Sequence, residues 1–272
     1  MSSVAVITVA HGRREHLTRL HRSLDAGVRG PDHWVLVAMS DPSLADGWDD
    51  LAPAPYVVPL EADRSALPLG AARNLGARTA LEQGAEVLVF LDADCLAHPR
   101  LVAGYAEEVG REPDVVWSGP VTYLPPGLSE EELVEPWRMD RPHAARPAPA
   151  EGTVLHGAEP ALFWSLSFAT SGELWQRIGG FHEEYAGYGG EDTDLAFAAD
   201  SLGVPFAWTG NARAYHQHHP TTDPPVQHVD DILRNAHLFH RRWNSWPMLG
   251  WLQEFQRMGL VAETPGGWER IA

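Results

Sequence analysis

Short runs of consecutive apolar residues alternate along this chain with longer stretches whose apolar positions recur every three or four places. The run "VAVITVA", Val4 to Ala10, is β-branched and of strand length, and it predicts a buried strand. The following "RREHLTRLHRSLDAG" carries Leu17, Leu20 and Leu24 at helical spacing and stops at Gly27. The same pairing recurs. "HWVLVAMSDPS" reads as a strand ending in a turn at Asp41-Pro42, and "PYVVPL" as a short strand. "LPLGAARNLGARTALEQGA" reads as a helix entered through Gly70, and "EVLVFLDADC" as a strand whose apolar run stops at two aspartates. "HPRLVAGYAEEVGREP" then predicts a helix and "DVVWSGPVTYL" one further strand. Such alternation predicts an α/β fold: a mostly parallel central sheet flanked by helices, with ligands outside the carboxyl ends of the strands.

Between Pro125 and Gly152 the period is lost in a proline-rich, charged segment, expected to form a mobile loop near the site. Beyond it, "LFWSLSFATSGELWQRIGGF" predicts a strand and a short helix, and "EDTDLAFAADSLG" a helix closed by Gly203. "PFAWTGNARAYHQHH" predicts a strand running into histidines, and the tail from Val229 a helical extension interrupted at Pro247. The whole of 1–272 is expected to be one domain, since α/β domains of this size bury a single large core.

Charge narrows the partners. Lys plus Arg number 20 against 37 Asp plus Glu, a net charge of −17, which repels phosphate backbones and argues against nucleic acid. Cys95 is the only cysteine, so no intramolecular disulfide forms, and no apolar run reaches membrane-spanning length; the expectation is a soluble cytoplasmic protein. The tail tryptophans Trp243, Trp246 and Trp251, with Phe255, are the one place where a membrane interface would be met, and packing against the domain is expected instead.

Four constellations carry candidate chemistry. "LDADC" places Asp92 and Asp94 at a strand end, where carboxylates suit Mg²⁺ or Mn²⁺, although a solvated strand end has the same pattern. "AYHQHHP" offers His216, His218 and His219; strand alternation sends His216 and His218 to one face and His219 to the other. One metal held by Asp94 and His216 from different strands joins the two motifs. "GGFHEEYAGYGGEDTD" sets Glu191 and Asp192 at a helix start behind Gly189-Gly190 and aromatic rings. Acids are favoured there by the helix dipole alone, but a fixed carboxylate beside rings is also placed to accept a proton from a hydroxyl. Finally, "LGAARNLGA" puts Arg73 and Asn74 at a helix start, where an arginine pairs with a base edge or a phosphate.

The order of these parts resembles that of family 2-type glycosyltransferases with the GT-A fold, carrying a galactosyltransferase-like module. The first strand, "SDPS", "GAARNLGA", "FLDADC", "GGFHEEYAGYGGEDTDLAFAA" and "YHQHH" follow the order of that family from Val4 to His219. The resemblance implies a nucleotide-sugar-binding half in 1–124, the mobile loop in 125–152, an acceptor and catalytic half in 153–220 and the helical tail in 221–272. It implies that Asp41 and Arg73 contact the uracil of a UDP-sugar, that Asp92 contacts the ribose, and that Asp94 and His216, with His218 as a further candidate, hold Mn²⁺ or Mg²⁺. It implies Asp192 as the base, Glu191 as an acceptor ligand, and Trp175 or Tyr188 against the acceptor sugar. Asn74 falls on the nucleotide side, and His11 stands where relatives place a ring on the base. Retaining relatives carry an asparagine after the glutamate of this block, so Asp192 implies an inverting reaction. Alternatives are a nucleotidyltransferase making sugar nucleotides, for which "AHGRREH" is a poor phosphate loop, and a non-catalytic sugar-nucleotide-binding protein.

Overall fold

The computed structural model describes residues 2–48, 51 and 53–271. Strand β1 (Val4–Ala10) and helix α1 (Arg14–Asp25) lead to β2 (His33–Met39), β3 (Tyr56–Leu60), α2 (Leu69–Glu82), β4 (Val87–Leu91) and β5 (Cys95–Ala97). Then follow α3 (Leu101–Arg111), β6 (Val116–Ser118), β7 (Val121–Tyr123), α4 (Glu130–Val134), β8 (Val154–His156), β9 (Ser167–Ser171) and α5 (Gly172–Ile178). The last part holds α6 (Glu191–Ser201), β10 (Phe206–Thr209), β11 (Ala214–His216), α7 (Val229–Trp243), α8 (Leu249–Arg257), β12 (Val261–Thr264) and β13 (Gly267–Arg270).

The central sheet runs β3-β2-β1-β4-β9-β6-β10-β8. Its first four strands are parallel, β9 is antiparallel to both β4 and β6, and β8 closes the edge antiparallel to β10. Both faces are covered, which explains the unbroken apolar runs. On one side Val4 and Val6 pack with Leu17, Leu20 and Tyr105 of α1 and α3; on the other Ala5 and Ile7 pack with Ala77, Leu174 and Leu195 of α2, α5 and α6.

Two expected strands are each two strands. The apolar run through Tyr123 breaks at Gly119-Pro120, and the run into the histidines breaks at Gly210-Asn211; in each case the second piece leaves the central sheet. Those second pieces, β7 and β11, join β5 in a small sheet of order β5-β11-β7. Proline lacks the amide that a ladder needs, so a strand ends there readily.

The irregular segment packs on this small sheet. A capping box between Ser129 and Glu132 starts α4, and Leu133, Trp137 and Met139 rest on Leu96, Leu124 and Tyr215. Its return limb is tied by Asp140, which accepts from Thr122 Oγ1 at 2.9 Å and Arg213 Nη1 at 2.7 Å, and by the His143 amide, which donates to Val121 O at 3.0 Å. The tail is two helices followed by the hairpin β12-β13, which the hydrophobic pattern did not reveal. Phe255 is fully buried and Trp243 packs beside Phe239, so these rings turn inward. Among the described residues no helix is long and apolar enough to cross a membrane.

Gly119 fixes the split between β6 and β7, because a Cβ there would be driven into the Ala212 carbonyl oxygen. Gly119→Ala is therefore expected to lower unfolding free energy by about 3 kcal/mol, the upper range for overpacking against backbone. Denaturant unfolding checks it, and a midpoint equal to wild type would contradict this account of the strand break.

Candidate functional site

The register of the small sheet assembles the first cluster. His216 of β11 lies opposite Cys95 of β5 and Tyr123 of β7, and the Gln217 amide donates to Asp94 O at 2.7 Å. Asp94, one residue before β5, therefore lies beside the His216 ring. Its Oδ1 is 3.5 Å from His216 Nε2 and its Oδ2 is 3.3 Å from His219 Nε2. Ligand atoms of Asp94, His216 and His219 all lie within 4.8 Å of one another. His218, expected beside His216, is exposed and outside this group, and His219 takes its place. The reason is that β11 ends at His216, so strand alternation no longer applies two residues later.

One carboxylate and two imidazoles fit a divalent ion such as Mn²⁺ better than Mg²⁺, which prefers an all-oxygen shell. Burial pushes the pKa of Asp94 up, but the hydrogen bond from His219 and the charge of His216 outweigh it and hold the carboxyl below its ordinary value. Burial lowers the pKa of His216, favouring the neutral ring that binds metals.

At the ends of β1 and β2, His11 Nδ1 pairs with Met39 O at 2.8 Å, and Asp41 accepts from the Gly12 amide at 2.7 Å. The Ser43 hydroxyl, at 2.6 Å, is the main cause of the lowered pKa of Asp41. His11 and Asp41 thus form one corner of the sheet's carboxyl edge, tied together through backbone.

Arg73 lies at the end of β4. It is 4 % exposed, donates to Asp92 Oδ1 at 2.8 Å and lies 3.5 Å from Glu191 Oε1. Helix α2 thereby links the end of β4 to the start of α6. Asn74, one residue on and turned about 100° around the helix, is committed to structure. Its Nδ2 donates to Phe181 O and to Glu183 Oε1, each at 2.9 Å, and its Oδ1 accepts from the Phe181 amide at 2.8 Å. With both ends of its amide used, Asn74 holds the loop before α6.

Glu191, 7 % exposed, has its pKa pushed up to about 7 by burial, with the Asp192 charge adding and Arg73 opposing. Burial also raises Asp192, against the Thr193 amide and Arg73. Asp92 is pushed up to about 6 by burial, with Arg73 opposing and Asp94 adding. Three carboxyls around one guanidinium share fewer negative charges than their number, as crowded acids must.

The glycines before α6 supply left-handed backbone. Gly190 caps the helix at φ 99°, and Gly187, at φ 71°, passes so close to Asp231 of α7 that a Cβ would overlap its carboxylate. Asn235 of the same helix donates to Ala186 O at 3.0 Å and to Gly189 O at 2.7 Å. A second lock lies one turn into α6. Asp194, 1 % exposed, accepts from Arg242 Nε at 2.7 Å, Trp243 Nε1 at 2.6 Å and the Tyr185 hydroxyl at 3.1 Å.

Of the two expected sugar-facing rings, Trp175 is in the core. It is 6 % exposed and packs against Phe90 and Phe181 at centroid distances of 4.7 and 5.7 Å, because α5 turns Leu174 and Trp175 onto the sheet. Tyr188 is 37 % exposed, stacked on His228 at 4.6 Å and 5.7 Å from Trp251. The tail therefore contributes to this rim. Sequence reasoning also missed Tyr123, Trp164 and Arg146. Tyr123 stacks on His216 at 4.6 Å, Trp164 lies 6.4 Å from Tyr123, and Arg146 sits 3.6 Å over Trp164. No motif marks them: Arg146 falls in the irregular segment, Tyr123 on its flank, and Trp164 in a run read as a strand.

A family model for the N-terminal domain of galactosyltransferase matches residues 161–219. Two curated relatives are validoxylamine A glucosyltransferases, from Streptomyces hygroscopicus subsp. jinggangensis (strain 5008) and from Streptomyces hygroscopicus subsp. limoneus. Each is 29% identical over 204 residues, covering 67% of this chain. The chain spans 47% and 44% of their respective lengths. Among solved structures, GalNAc-T7 with UDP, GalNAc and Mn²⁺ superposes with a TM-score of 0.58 over 80% of this chain and 44% of that one, at 17% identity. S. aureus TarS 1–349 in complex with UDP-GlcNAc gives 0.60 over 93% of this chain and 77% of that one, at 11% identity. At such identities these superpositions show the fold.

Asp194→Asn is expected to cost about 2 kcal/mol, because a neutral amide weakens the charge-assisted hydrogen bonds from Arg242 and Trp243. Urea unfolding measures it; a loss under about 1 kcal/mol would mean that the lock contributes little.

Proposed function

We propose that this chain, which has the GT-A glycosyltransferase fold with a galactosyltransferase-like module at 161–219, is a glycosyltransferase that moves a sugar from a UDP-sugar to an acceptor hydroxyl with inversion. The observation that carries the reading is Arg73 bridging Asp92 and Glu191, because it places the carboxyl edge of the sheet and the start of α6 on either side of one guanidinium. A nucleotide site and an acceptor site that share a wall are what a direct displacement requires. The ligands of those neighbours, UDP with Mn²⁺ and UDP-GlcNAc, support a nucleotide-sugar donor. The glucosyltransferase relatives support transfer of a hexose.

In this reading the corner of His11 and Asp41 receives the base, and Asp92 faces the ribose. Asp94, His216 and His219 would hold a divalent ion, which when bound neutralises charge on the diphosphate. Asp192 accepts the proton of the acceptor hydroxyl. Glu191, whose pKa near 7 keeps much of it protonated at neutral pH, donates a hydrogen bond to a neighbouring acceptor oxygen. Two adjacent carboxyls thus take opposite roles, one accepting and one donating. Tyr188, with His228 and Trp251 behind it, offers an apolar face to the acceptor ring.

Asp192→Asn is expected to lower kcat by about a thousandfold or more while UDP binding changes less than twofold, since it removes a base and no metal ligand. Because burial raises Asp192, the acid limb of kcat/KM should lie above the ordinary carboxylate value, the rate rising with pH as the base ionises. A limb at or below about pH 4, near the ordinary aspartate pKa, would contradict the assignment. Calorimetric titration with UDP, GDP and dTDP, with and without Mn²⁺, tests the nucleotide site. Metal-dependent UDP binding that Asp94→Ala abolishes is the expected result, and binding of none of the three would overturn the reading.

A further inference from the structure

We propose that Arg146, carried by the irregular segment between β7 and β8, is a donor-specificity residue that hydrogen-bonds the transferred sugar. The inference rests on the proposed function and concerns a residue outside every recognised motif. The Arg146 guanidinium lies 3.6 Å over the Trp164 ring, a stacking that fixes its plane without occupying its donors. Its Nη1 donates to the neighbouring Ala145 carbonyl at 2.9 Å. Its Nε is enclosed without a hydrogen bond.

Its position identifies what it faces. Rings run in sequence from the metal-type cluster: His216 stacks on Tyr123 at 4.6 Å, Tyr123 lies 5.6 Å from His143 and 6.4 Å from Trp164, and Arg146 covers Trp164. At the far end the charge of Arg146 acts on Asp192. The diphosphate belongs at the His216 end and the acceptor hydroxyl at Asp192. The transferred sugar is bonded to the first and attacked by the second, so it lies between them. Arg146 flanks that gap. The segment is held there by Asp140 and His143, so the guanidinium is placed before any ligand arrives. The cavity that Arg146, Trp164 and Ser167 line is about 10 Å³, room for roughly one water, so it is no ligand pocket in its own right.

The test compares affinities for UDP and for the tightest-binding of UDP-glucose, UDP-galactose and UDP-GlcNAc, with Mn²⁺, in wild type and Arg146→Met. Methionine keeps the stacking on Trp164 and removes the donors. The sugar nucleotide is expected to weaken by roughly tenfold, the loss of a charge-assisted hydrogen bond, while UDP changes less than twofold. Should Arg146→Met not fold, as judged by thermal unfolding, Arg146→Leu, which also lacks donors, takes its place. Unchanged affinities for both ligands overturn the proposal, and so does an equal weakening of both, which would put Arg146 on the diphosphate; in either case UDP binding by wild type leaves the transferase reading standing. Failure of wild type to bind UDP at all would remove both.

Discussion

A buried guanidinium between two carboxylates is the constraint on which the rest of this structure turns. Arg73 lies between Asp92 and Glu191, with Asp192 and Asp94 close behind. Crowding acids at the edge of a sheet is unfavourable unless a counter-charge is built in, and the folded chain supplies it from α2. The consequence is geometric as well as electrostatic. An arginine 4 % exposed cannot follow a moving partner, so the end of β4 and the start of α6 are fixed relative to one another through it. The aromatic core of Phe90, Phe168, Trp175 and Phe181 supports this arrangement from below, with Phe90 and Phe168 stacked at 4.4 Å.

Around that centre the chain divides the work between regular and irregular parts. The parallel strands β1, β2 and β4 carry His11, Asp41 and Asp92 at their ends, as open α/β sheets carry ligand contacts. The register of the small sheet brings Asp94 beside His216, the chain beyond β11 adds His219, and the tail shapes the opposite rim through Asn235, His228 and Trp251. Loops held by a rigid scaffold are where ligand-facing groups concentrate, and the segment between β7 and β8 follows that rule.

Much of this was legible in the sequence because it depends on local chemistry. The strands ending at Asp41 and Asp92, the helix entered through Gly70 and the helix starting at Glu191 follow from apolar runs, glycine stops and helix-start acids. What was not legible depends on partners distant in the chain. Whether β9 runs antiparallel between β4 and β6 is decided by the sheet as a whole. His219 displaces His218 because a three-residue strand ends just before them. The resemblance implies Trp175 against the acceptor sugar, and only the sheet beneath shows it to be 6 % exposed and packed in the core. That Asn74 holds Phe181, more than a hundred residues away, with both ends of its amide is likewise visible only in the fold.

The turn ahead of α6 has an implication for how separable its parts are. Residues 161–219 match a family model as a unit, yet their sharpest bend is moulded by α7: Asp231 fills the space that a side chain at Gly187 would need, and Asn235 collects the carbonyls of Ala186 and Gly189. The backbone that aims Glu191 and Asp192 is thus written partly in residues that the module does not contain. Grafted onto another scaffold without that helix, the stretch would keep its letters and lose its shape. As a physical object the module extends to the face of α7 that closes over it.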